Sequence, residues 1–288
     1  MPSKSFTDAN AGMAHRLEQD RRGNLRKRAL SALALGPLVL GVVYAGGWLF
    51  FAGVALGAIL AVREWVRMIA PGPAARPFYL SCAAITLVLG LDVLVGPLPA
   101  LGAVLALSLA MGLVPGLVSA RLHGNDRLVA AFGIPYVGMS CVALTWLRGD
   151  PNIGLALIVF LLLTVWANDI GAYVVGKAIG GPRLAPSISP AKTWAGFYGG
   201  IAAASLVGGG VALAFGAHAP LLAAGLGALL AVIGQGGDLF ESAVKRRYNV
   251  KDSGGLIPGH GGVLDRIDGL VAAAPVLALV QAVAGTWW

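Results

Sequence analysis

The chain has 288 residues, 57% of them hydrophobic and only 12% charged, with a formal net charge of +8. Soluble domains carry roughly 25% charged residues, so this composition excludes an ordinary water-soluble globule and describes a polytopic membrane protein. The two cysteines, Cys82 and Cys141, lie inside apolar runs with no CxxC or Cys/His pattern, which argues against a disulfide framework or a zinc site.

Residues 1–28 read as a polar tail ending in the basic cluster RRGNLRKR. It is too long and too charged for a signal peptide, and no small-residue cleavage site follows it. Apolar spans follow near 30–46, 47–66, 78–96, 98–119, 128–147, 153–175, 196–216, 218–240 and 267–286, about nine transmembrane helices in an all-α fold. With the N-terminus in the cytoplasm, 20 of the 21 Lys and Arg residues fall on the inside, and Arg148 alone falls outside. That bias accounts for the net positive charge without a nucleic acid partner. The predicted organisation is a cytoplasmic tail over 1–28, N-terminal helices over 29–150 and a C-terminal catalytic region over 151–288. Cytoplasmic loops are expected at 177–195 and 241–266. An Ala/Gly-rich chain with no targeting presequence points to a bacterial inner membrane.

The polar residues gather in two islands, 168–200 and 237–268. In the first, Asp169 sits in the apolar run LLLTVWANDIGAYVVG, and an intramembrane acid is a functional candidate by default. The segment GGPRLAPSISPAKT then offers Ser189, Lys192 and Thr193, suited to a polyanion. The alternative for its cations is a plain positive-inside loop.

In the second island Asp238 and Glu241 are three apart, as are Asp265 and Asp268, so each pair shares a helix face. Four acids without sulfur nearby suit a hard cation such as Mg²⁺. The alternative is an ion network with Lys245, Arg246 and Arg266. Between the pairs, Lys245, Arg246 and Lys251 suit phosphates, and a glycine-rich turn lets backbone N–H groups approach an anion. His260 reads as a phosphate donor or a turn residue.

The run ESAVKRRYNVKDSGGLIPGHGGVLDRID resembles the signature of the phosphatidate cytidylyltransferases, the CDP-diacylglycerol synthases. DIGAY and LAPSISPAKTW resemble a second region of that family. Within residues 1–150 the likeness is one of hydropathy and of REWVRM (63–68). The chain departs from the family pattern at Ile170, Ala191 and Ala195.

The resemblance implies transfer of a cytidylyl group from CTP to phosphatidic acid, releasing pyrophosphate. It implies Asp238, Asp265, Asp268, Lys245 and His260 as catalytic residues. Ser189, Lys192, Thr193, Arg246, Lys251, Asp252, Gly259, Gly261, Gly262 and Arg266 would bind substrate. Asp169, Asp238, Glu241, Asp265 and Asp268 would hold Mg²⁺, with room for a second cation. The partners are CTP, phosphatidic acid and membrane lipids, with a homodimer left open. Two other readings are a CTP-dependent polyprenol kinase, which would yield a phosphomonoester rather than a CMP-containing lipid, and a transporter, which would move solute without CTP turnover.

Overall fold

A computed structural model describes residues 35–70, 75–114, 125–256, 261–285 and 287–288, without the side chains of 75–77. The basic tail, Gly259 and His260 lie outside the described residues. Nine apolar helices are present among the described residues: α1 (Leu35–Ala45), α2 (Gly47–Ile69), α3 (Ala75–Val95), α4 (Pro97–Leu113), α5 (Asn125–Gly149), α6 (Gly154–Ile179), α7 (Trp194–Ala214), α8 (Pro220–Arg247) and α9 (Leu264–Ala284). Each falls on one of the nine predicted spans. Seven are long and apolar enough to cross a bilayer, while α1 and α4 are shorter.

Local sequence sets the breaks. Gly46, at φ 63°, separates α1 from α2, and Gly96, at φ 103°, turns the chain before Pro97 opens α4. Pro220 opens α8, where the missing N–H costs nothing. Thr193 caps α7, its hydroxyl accepting from Gly196 N at 3.1 Å.

Apolar side chains gain little by meeting one another in lipid, so close backbone approach must hold the helices together. The α6–α7–α8 unit shows this. A Cβ on Gly171 would stand 2.8 Å from Gly199 O, and one on Gly227 would stand 2.7 Å from Ala204 O. This contact brings the C-terminal half of α6 beside α7 and fixes where Asp169 emerges.

Two findings correct the predicted loops. The loop at 177–195 contains a two-stranded antiparallel hairpin, β1 (Arg183–Ala185) and β2 (Ser189–Thr193), with Arg183 opposite Thr193 and Ala185 opposite Ser189. Trp194 N donates to Pro182 O at 3.1 Å and closes its base. The loop expected at 241–266 begins later, because α8 continues through Arg247. Lys245, Arg246 and Arg247 are therefore helical, as is Lys177 at the end of α6. Cations are favourable in a last helical turn, and the left-handed Asn249, at φ 54°, comes only after α8 has closed.

Candidate active site

Three helix segments carry the acids. Asp169 lies on α6, Asp238 and Glu241 on α8, and Asp265 and Asp268 in the first turns of α9. The carboxylates of Asp169, Asp238 and Asp268 lie close enough to repel one another. Lys192, from β2, reaches across with its Nζ 2.6 Å from Asp238 Oδ2, although out of line for a hydrogen bond. Lys192 and Arg266 also bear on Asp169. Ser242 donates to Asp238 Oδ1 at 3.3 Å, one turn on. Gly269 N donates to Asp268 Oδ1 at 2.7 Å.

The other two acids are engaged differently. Lys245 donates to Glu241 Oε1 at 3.0 Å and to Asp265 Oδ1 at 2.7 Å. Glu241 is fully buried and Lys245 is 9% exposed. Glu241 and Asp265, expected as metal ligands, are thus held in an ion network, the alternative weighed for them above. The physical cause is the i, i+4 spacing of Glu241 and Lys245 on α8, which directs the ammonium into the α8–α9 seam. Lys245, expected to act on phosphate, has both its close contacts inside the protein. Among the described residues no three acids, histidines or cysteines meet at metal-holding distance.

The residues flanking the glycine-rich segment also make contacts within the protein. Gly262 N donates to Asp265 Oδ2 at 2.8 Å, and Ser253 N donates to the same oxygen at 2.9 Å. Gly261 has φ 82°, and a Cβ there would stand 2.8 Å from Asp265 Oδ2. Ser253 and Gly262 thus close on a carboxylate of the chain itself, Asp265 at the start of α9. Lys251, Asp252 and Arg266 are exposed around it. Arg246 Nε donates to Ile188 O at 3.3 Å, linking α8 to the hairpin. Thr193, expected to bind substrate, is 5% exposed and spends its hydroxyl on the α7 cap. Ser189 is half-buried on β2.

Other contacts were not foreseen. Gln235 donates to Asn168 Oδ1 at 2.9 Å and to Phe197 O at 3.2 Å, and Asn168 donates to Asp169 Oδ1 at 3.2 Å. This chain of amides ties α6, α7 and α8 together behind Asp169. The Tyr136 hydroxyl, on α5, is buried near Glu241, Asp268 and Asp238 and finds no hydrogen-bond partner among the described residues. The signal for Asn168 and Gln235 was present in the sequence as uncharged polar residues inside apolar helices. Tyr136 carried no such signal, since its neighbours in sequence are apolar. Beyond α8, Tyr248 donates to Asp126 at 2.7 Å; burial, aided by that hydrogen bond, pushes its phenol up to about 12.

Residues 26–284 match the model of the Cytidylyltransferase family. The chain is 42% identical over 269 residues to the phosphatidate cytidylyltransferase of Brucella suis biovar 1, covering 90% of this chain and 94% of that protein. Its identity to the phosphatidate cytidylyltransferase of Pseudomonas aeruginosa is 37% over 273 residues, covering 91% and 98% of the two chains. For the phosphatidate cytidylyltransferase of Staphylococcus epidermidis the figure is 32% over 265 residues, covering 89% and 98%.

Proposed function

Because the chain belongs to the cytidylyltransferase family, we propose that it converts CTP and phosphatidic acid to CDP-diacylglycerol and pyrophosphate at a membrane surface. The observation that carries this reading is the gathering of Asp169, Asp238 and Asp268, near enough to repel one another and with Lys192 and Arg266 bearing on them, on three helices of membrane-spanning length. A soluble nucleotide and a lipid headgroup can both reach such a place.

The lipid phosphate oxygen attacks the α-phosphorus of CTP. The bond from that phosphorus to the oxygen bridging the β-phosphorus breaks, and pyrophosphate departs with the electron pair. Both reactants are anions, so the protein must screen charge and align them. Lys192, Lys251 and Arg266 supply positive charge around the site. A phosphate dianion is already a competent nucleophile, so no strong base is called for, and His260 is assigned as a phosphate donor.

The donor set suits Mg²⁺, being all carboxylate oxygen without sulfur. Asp169, Asp238 and Asp268 would hold it by drawing together, since they do not stand at metal-holding distance here, and a second cation is proposed beside them. When bound, it neutralises phosphate charge and stabilises the leaving pyrophosphate. Glu241, Lys245 and Asp265 form the buried support of the α8–α9 seam.

The site faces the cytoplasm of a bacterial inner membrane in this reading, as the distribution of Lys and Arg supports. The test is an assay of the detergent-solubilised protein with radiolabelled CTP and phosphatidic acid, with and without Mg²⁺. A labelled liponucleotide that forms only with the metal is expected. A labelled phosphomonoester, or no product, would overturn the proposal.

A further inference from the structure

Glu64 belongs to α2, far in sequence from every residue assigned above, yet its carboxylate ends inside the C-terminal site. Its Oε1 accepts from Val263 N at 3.0 Å. Its Oε2 accepts from Leu264 N at 2.8 Å and from Ser253 Oγ at 3.1 Å. The residue is 6% exposed. A helix begins with N–H groups that lack partners, and no side chain of α9's own N-cap supplies one. Glu64 supplies the cap from another helix, and its negative charge sits where the helix dipole favours it.

Two glycines of the polar island make room for this contact. A Cβ on Gly254 would stand 2.5 Å from Glu64 Oε1, and one on Gly262 would stand 2.5 Å from Glu64 Oε2 and collide with Ser253 Oγ. The carboxylate therefore ties Ser253 on one side to Val263–Leu264 on the other. Asp265 follows directly, and Asp268 lies one turn further along the same helix.

We infer that Glu64 is a positioning residue for the cytidylyl-transfer site: it fixes the start of α9, and through it the places of Asp265 and Asp268. The inference rests on the proposed reaction for its kinetic consequence, but not for its structural one. Misplacing a reacting constellation by about 1 Å can cost about 10²-fold in rate. Glu64→Gln keeps the shape and one acceptor oxygen but turns an NH₂ toward the remaining donors, so the cap loses its charge and at least one of its hydrogen bonds. Val263→Pro removes one N–H from the other side of the same contact. Val263 already has φ −67°, close to the value proline requires, and proline is tolerated at a helix start.

The experiment uses full-length protein in detergent. Hydrogen–deuterium exchange is followed for peptides covering 261–268, and steady-state kinetics are measured for both substrates. Both variants are expected to exchange faster in that segment, with the remaining helices unchanged. Each should lose about 10²-fold in kcat, with little change in KM, as for a defect expressed in the transition state. Combining them should cost scarcely more than either alone, because they break one contact. A wild-type protein without transferase activity would remove the proposed reaction, while the exchange result would still decide whether Glu64 holds α9. Wild-type exchange in a folded Glu64→Gln protein overturns the inference, as does wild-type kcat in both folded variants of an active enzyme. Failure of both variants to fold also overturns it, making Glu64 a folding element instead.

Discussion

Lys245 and Asp265 meet across the α8–α9 seam at 2.7 Å, and the fully buried Glu241 accepts from the same ammonium at 3.0 Å. Removing one partner of a buried charge group leaves the others uncompensated, which costs about 3–5 kcal/mol. Lys245→Met is expected to lose stability of that order, seen as a lower denaturation midpoint in detergent. Adding Glu241→Gln should recover part of the loss, because it removes one of the stranded charges. A Lys245→Met protein as stable as wild type would show that the network is not a structural one.

Asp238 is held more loosely, with a side chain 36% exposed and Lys192 as its close cation. Asp238→Asn keeps the shape and removes the charge a hard cation needs. Outer-shell changes at metal sites cost roughly 10–100-fold, so this change at a proposed ligand should exceed the upper end of that range in kcat, with the protein still folded. Asp169→Asn and Asp268→Asn should behave alike. Turnover assayed across a Mg²⁺ titration checks this. A folded Asp238→Asn enzyme with wild-type turnover would remove the residue from the site.

Legibility in the sequence followed the range of the interaction. Hydropathy is a local property, so nine helices could be placed from it, down to the break at Gly46 between α1 and α2. The acids were legible because charge inside an apolar chain is costly and therefore marked. Their partners were not, because a carboxylate's neighbours depend on which helix faces which. The spacing of Glu241 and Lys245 offered their ion pair locally, but the share of Lys245 taken by Asp265 comes from the α8–α9 crossing. The bonds from Glu64 to Val263 and Leu264 span about two hundred residues, and no periodicity announces them. The turn glycines were read as a cradle for an anion. Gly254 and Gly262 do flank an anion, but it is Glu64, from the protein itself.

Orientation can be checked at the two ends of the bundle. Ser187 and Leu256 are exposed near the site, whereas Trp48 is exposed beside the end marked by Arg148, which donates to Val43 O and Tyr44 O. Single cysteines at these positions, with Cys82 and Cys141 replaced by Ala, report the side. An impermeant thiol reagent added to intact cells should label Trp48→Cys and leave Ser187→Cys and Leu256→Cys unlabelled until the membrane is opened. Labelling of either of the latter from outside would reverse the proposed topology.

Gly236 and Gly237 are adjacent on α8, just before Asp238, and they should respond oppositely to the same change. A Cβ on Gly236 would meet nothing within 4 Å, whereas one on Gly237 would stand 2.6 Å from Ala272 Cβ and 2.9 Å from Asp268 O. Alanine is favoured over glycine inside a helix by about 0.8–1.0 kcal/mol, so Gly236→Ala should raise the unfolding midpoint slightly and leave turnover intact. Gly237→Ala must push α9 away from α8, because backbone and a Cβ cannot swing aside as a long side chain would. The displacement falls on Asp238 and Asp268 together. A shift of about 1 Å there should cost about 10²-fold in kcat, with a loss of stability from the opened seam. Unfolding curves and steady-state rates on the two variants side by side decide the matter. Equal behaviour of the pair would mean that the α8–α9 crossing does not set the spacing of the acids.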